Sequence, residues 1–120
     1  MQKYTRPVLV IIAMLLTTPV IADTHIITQQ HKKFSDMFVK MENDDVLKFV
    51  NLDSVKHRLI FTHKGRQEQL HSIEPGKEQE ITLHDSGIYD IQCKHHPSMK
   101  LTVYVPHVVK MTKNMANYQF

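Results

Sequence analysis

The sequence predicts an all-β sandwich of seven to eight short strands, and three observations carry that expectation. Short segments rich in β-branched and aromatic residues recur along the chain. Several alternate apolar with polar residues, as Leu101, Val103 and Val105 do against Thr102 and Tyr104. Turn-forming clusters separate them: "ENDD", "NLDS", "HKGR", "EPGK" and "HDSG". No segment sustains a helical period, and there is no internal repeat.

In chain order, residues 1–22 stand apart from that pattern. "MQKYTRP" carries Lys3 and Arg6, Val8 to Leu16 is an unbroken apolar run, and "TTPVIA" ends in a small residue. Basic start, short apolar core and small-residue exit make a secretory signal peptide, cleaved after Ala22. Nine apolar residues are about half of the roughly 20 that a transmembrane helix needs, so stable membrane insertion is not expected. Strands follow at "HIITQQ" (25–30), "MFVKM" (37–41), "VLKFVN" (46–51), "RLIFTH" (58–63), "KEQEITL" (77–83), "IYDIQC" (88–93) and "KLTVYV" (100–105). They place one domain over residues 23–106. The tail 107–120 fits a short helix, a last strand or a disordered end.

Cleavage changes the charge balance. Lys3 and Arg6 leave with the signal, so 13 basic residues face 12 acidic ones and the mature chain is near +1. A nucleic-acid binder should carry a clustered basic face, and none is present. A domain of this size has a modest core, which a bound metal would staple.

The chemistry concentrates in "CKHHPSMK", Cys93 to Lys100, which holds the only cysteine of the chain. An exported domain usually pairs its thiols, so a lone one is either buried and inert or held by something. Spacing favours the second. Cys93, His96 and Met99 form C-x2-H-x2-M between two expected strands, and Pro97 stiffens the connection. Thiolate, imidazole and thioether are the soft and borderline ligands of a trigonal copper site, which still needs a second imidazole. His57 is the candidate, at the start of "RLIF", where a loop can aim its ring. Of nine histidines, His25, His31, His63, His71, His84 and His107 are expected to be ordinary surface or structural residues. His95 is an extra imidazole that could compete with His96. The order of the pair is set by the chain: His95, two after Cys93, shares its side in an extended strand, whereas His96 suits a loop turning in steps of three.

With these residues in place, the chain resembles the cupredoxins, the small periplasmic blue copper proteins of the plastocyanin, pseudoazurin and amicyanin group. Its loop spacing is most like that of amicyanin. "VLKFVNLDSVKH" is similar to the family's F-x-N-x-D-x-x-x-H, and "EPGKEQEITLHDSGIYDIQC" to its P-G … G-x-Y-x-x-x-C. The resemblance runs from about residue 32 to 105. It implies a Greek-key sandwich and one type 1 copper ion held by His57, Cys93, His96 and Met99. It also implies that Asn51 ties the two ligand loops together by hydrogen bonds. There are departures: "MENDD" lacks the usual glycine, Arg58 replaces an asparagine, and Leu101 replaces a glycine.

The resemblance further implies a periplasmic, monomeric one-electron carrier rather than an enzyme. Its partners would be redox proteins, such as a c-type cytochrome or a periplasmic oxidoreductase. His96 would be the electron port, with Lys94, His95 and Lys100 as the docking surface around it. A copper-handling protein for tolerance or delivery is the alternative, favoured by the surplus histidines and by Met111 and Met115. A third reading is a binding module with a structural metal, or an atypical centre that uses His95 as well.

Overall fold

Period-two burial runs through the strands and decides which side chains form the core. In Val46–Asn51 the inward residues are Leu47, Phe49 and Asn51; in Gly87–Cys93 they are Tyr89, Ile91 and Cys93; in Lys100–Val105 they are Leu101, Val103 and Val105. The computed structural model describes residues 3–5, 7–17, 19 and 21–107. Among them are nine strands: β1 Thr24–Gln30, β2 Lys33–Phe34, β3 Phe38–Lys40, β4 Val46–Asn51, β5 Leu59–His63, β6 Arg66–Gln69, β7 Glu78–Thr82, β8 Gly87–Cys93 and β9 Lys100–Val105. All seven expected strands are present, with ends shifted by no more than one residue. The two additional ones, β2 and β6, are short or fully exposed and carry no alternating apolar signal.

Two sheets face each other, with strand orders β2-β1-β4-β7 and β3-β9-β8-β5-β6. The chain crosses between them repeatedly, so β1 pairs parallel with β4, and β3 pairs parallel with β9. Phe49 meets Phe61 of the facing sheet edge-on at 6.1 Å, and Phe34 of its own sheet at 6.0 Å with the rings tilted by 55°. This aromatic seam sits in a core that includes Leu47, Leu59, Ile91 and Val103.

The turns show how the sequence closes these strands. Lys64 and Gly65, both at positive φ, join β5 to β6 as a two-residue hairpin. His31 and Lys32, both at φ 55°, do the same for β1 and β2 without a glycine. Asp44 takes φ 68° in "MENDD"; a short polar side chain tolerates the left-handed region better than most. That accounts for the missing glycine.

Residues 7–17 belong to no strand, and residues 8–12 and 14–16 carry exposed large apolar side chains. No helix among the described residues is long and apolar enough to cross a membrane. The expected tail 107–120 lies outside the described residues from 108 onward.

Candidate metal centre

Cys93 is the last residue of β8. Strand alternation carries it inward after Tyr89 and Ile91, so its thiol is buried at 1% exposure. His57 follows the same rule on the neighbouring strand. It forms one buried row with Leu59 and Phe61, is itself 0% exposed, and makes an antiparallel bridge with Ile73. Leu59 is paired with Cys93 across the sheet, which brings His57 to the same end of the sandwich. One backbone bond, from Lys94 N–H to the Arg58 carbonyl at 2.8 Å, ties the segments of His57 and Cys93 together there.

The loop after Cys93 is built from two successive turns of three residues. His96 N–H donates to the Cys93 carbonyl at 3.3 Å, and Met99 N–H donates to the His96 carbonyl at 2.9 Å. Cys93 N–H returns to the Met99 carbonyl at 3.3 Å and closes the loop. The first turn brings His96 back over the thiol, and the second buries Met99 at 1% exposure.

His57 Nδ1 and His96 Nδ1 each lie 3.5 Å from Cys93 Sγ. All three donor atoms lie within 4.8 Å of one another. The two rings cross at 68° with centroids 5.1 Å apart. Imidazole and thiolate ligands at about 2.0–2.3 Å from an ion place donors in a trigonal plane roughly 3.5–4 Å apart. The two nitrogen-to-sulfur separations match that. A thiolate with two imidazoles, beside a buried methionine, is a donor set suited to copper.

Asp53 is the residue that sequence reading left without a role. Its carboxylate accepts from His57 Nε2 at 2.7 Å, from His31 N–H at 2.6 Å and from Lys32 N–H at 3.0 Å. The bond to Nε2 fixes the ring so that Nδ1 faces the thiol. The turn at His31 and Lys32 points two backbone donors at the same carboxylate. Burial pushes the Asp53 carboxyl up, but the bonds from Lys32, His57 and His31 outweigh it and hold it below the usual range. The signal available in the sequence was the aspartate four residues before His57.

Asn51, fully buried, donates from Nδ2 to the carbonyls of Val55 and Ile73, both at 2.8 Å, and accepts from Asp53 N–H at 2.9 Å. These bonds shape the 51–57 loop and join it to Ile73. His96 is half-buried, and burial, then the positive potential of His57, Lys32 and His95, holds its ring below the ordinary histidine value against the opposing charge of Asp53. His95, Lys94 and Lys100 are exposed around it, and His95 lies outside the converging donors. Three other histidines have structural partners. His25 meets Asp45, His84 meets Asp44, and His63 stacks on Tyr89 at 4.0 Å.

No family model matches the sequence, and no curated protein matches it. Solved structures do match. A Cu(I) methionine-to-alanine mutant of amicyanin aligns at a TM-score of 0.64 and 18% identity, over 72% of this chain and 86% of that one. A reduced tryptophan-to-tyrosine mutant of amicyanin aligns at 0.65 with the same identity and coverage. An oxidised methionine-to-lysine mutant aligns at 0.64, again at 18% identity over 72% and 86%. The chain therefore has the cupredoxin fold, the all-β sandwich expected from its strand pattern.

Proposed function

We propose that the mature chain is a periplasmic copper protein that carries single electrons between redox proteins, with one type 1 copper ion at His57, Cys93, His96 and Met99. The observation that carries this reading is the convergence of two imidazoles on one buried thiol, each 3.5 Å from the sulfur. Bound there, copper would supply a one-electron Cu(II)/Cu(I) couple. The protein's part is to fix the donors so that little has to move. Cys93, His57 and Met99 are buried in the sandwich, while Asp53 holds His57 by its far nitrogen. Only His96 reaches the surface, so its ring is the route for an electron. Lys94, His95 and Lys100 surround it and would set the rate of docking more than its strength.

On this reading the partners are redox proteins such as a c-type cytochrome or a periplasmic oxidoreductase, with the carrier itself a monomer and not an enzyme. Export is supported by residues 1–22, with cleavage after Ala22. The same burial favours a carrier over a protein that hands copper on: three of the four ligands lie in the core, out of reach of an incoming partner's ligands, and only His96 is accessible.

The test is spectroscopic. Cu(II) added to the metal-free protein should give an intense thiolate-to-copper visible band at one ion per chain. Cys93→Ser should remove the band and leave the β-fold. A band that survives Cys93→Ser, or that never forms in the native chain, would overturn the site. Reversible electron exchange with a cytochrome supports the carrier; copper transfer to a partner without such exchange supports copper handling.

A further inference from the structure

Asp45 is 6% exposed and sits where the chain enters the fold. Its Oδ1 accepts from the backbone nitrogen of Asp23 at 3.0 Å, while Oδ2 accepts from Glu42 N–H and from His25 Nε2, each at 3.0 Å. A nearly buried carboxylate gains most from a full positive charge, and His25 provides one only when protonated. Asp23 is also the point at which the sheet begins. Its carbonyl accepts from Val46 N–H at 2.8 Å, and β1 starts at Thr24, whereas Ile21 and Ala22 are exposed and outside every strand.

We propose that hydrolysis of the Ala22–Asp23 peptide supplies the missing cation: the new α-ammonium group of Asp23 pairs with Asp45 and locks the first strand in place. This rests on the reading of residues 1–22 as a cleaved export signal. Water, with an export peptidase as catalyst, adds across the amide. The C–N bond breaks, Ala22 leaves as a carboxylate, and the Asp23 nitrogen takes up the protons as an ammonium at neutral pH. The nitrogen that donated one neutral hydrogen bond now carries a charge at the same distance. Among the described residues, every strand and core residue lies between Thr24 and Val105, so the fold stays whole on the far side of the cut. Processing thereby becomes a step that stabilises the folded carrier.

Two measurements test this separately. N-terminal sequencing of the exported chain should begin at Asp23; a different start would overturn both the export boundary and the ion pair. Urea unfolding should then compare chains beginning at Asp23 with a free or an acetylated amine. Acetylation keeps an N–H donor and removes the charge. The free amine should raise the folding equilibrium constant about fivefold at pH 7, where an ordinary imidazole is mostly neutral and an α-amine is still mostly charged. The advantage should vanish near pH 10, where the amine is neutral in both the folded and the unfolded chain. Asp45→Asn should also erase it. Equal stability of the two chains at pH 7, or an advantage that persists at pH 10, would overturn the proposal even if Asp45→Asn does not fold.

Discussion

Asp53→Asn is the substitution that most directly probes how the proposed copper site is held. The change keeps the shape of the side chain and removes both its charge and one acceptor. In the native chain one oxygen serves His31 N–H at 2.6 Å, and the other serves Lys32 N–H at 3.0 Å and His57 Nε2 at 2.7 Å. An amide has a single oxygen, so whichever way it turns at least one of these donors faces an NH2 group. The Asp53 side chain is only 11% exposed and His57 is fully buried, so water replaces little of the loss. One charge-assisted bond contributes about 1.5–3 kcal/mol, and a buried donor left unmet costs about 1–3 kcal/mol. The metal-free protein should lose about 2–4 kcal/mol. The copper site suffers in a second way. When the NH2 faces His57, the ring can satisfy it only by accepting at Nε2, which moves the proton to Nδ1, the nitrogen that faces the thiol. Copper affinity should fall about 10- to 100-fold, in line with losses of other outer partners of metal-bound histidines. Urea unfolding of the metal-free chain, copper competition against a chelator and the nitrogen NMR shifts of His57 read the three effects. A stability within about 0.5 kcal/mol of native, with unchanged copper affinity, would refute the role assigned to Asp53.

Other outcomes follow from the same structure. His96→Ala should destroy the blue spectrum or make it depend on added imidazole, while His95→Ala should keep it and change only the rate or salt dependence of electron exchange; visible spectra and stopped-flow exchange separate them. Copper should raise the melting temperature, and that gain should shrink as pH falls, because His57 and His96 must be neutral to bind. For His96 the loss should set in below the ordinary imidazole value of about 6.5, since its ring is held below that value. The carboxyls of Asp45 and Asp53 are both lowered from 3.8. Their contribution is therefore fully present above that value and is lost as pH falls through the folded-state values; acid unfolding of the metal-free chain should weaken in Asp53→Asn. Phe49→Ala, at a fully buried position between Phe34 and Phe61, should cost about 3–5 kcal/mol in urea unfolding.

The strands were legible because their side chains alternate, and the exceptions lack that signal. β8 reads inward at Tyr89, Ile91 and Cys93 and outward at Ile88, Asp90 and Gln92, a pattern that both marks the strand and tells which way the thiol points. β6 is "RQEQ", exposed at every position, and exists because the Lys64–Gly65 turn folds it back against β5. Nothing in its composition favours a strand over a loop. β2, two residues long, is likewise a product of its turn. At His31 and Lys32 no glycine advertises the positive φ, and the bonds to Asp53 that accompany this backbone come from a residue more than twenty positions away.

The proposed ligands divide along the same line. Cys93, His96 and Met99 were readable because the loop that joins them is local. Spacing of three fixes two consecutive turns, and the backbone bonds from His96 and Met99 are the physical form of that spacing. His95 loses its place because the chain has left the extended conformation by then: the turn that begins at the Cys93 carbonyl carries position 96, not 95, over the sulfur. His57 was readable from its strand, since the inward row of Leu59 and Phe61 extends back to it by steps of two. Asp53 follows neither period. It reaches His57 through the irregular loop that Asn51 shapes with bonds to Val55, Ile73 and Asp53 N–H. A contact set by an irregular loop has no repeat to reveal it in the sequence. The aspartate stands in the motif before His57, but its bond to the most deeply buried imidazole is what the folded chain discloses.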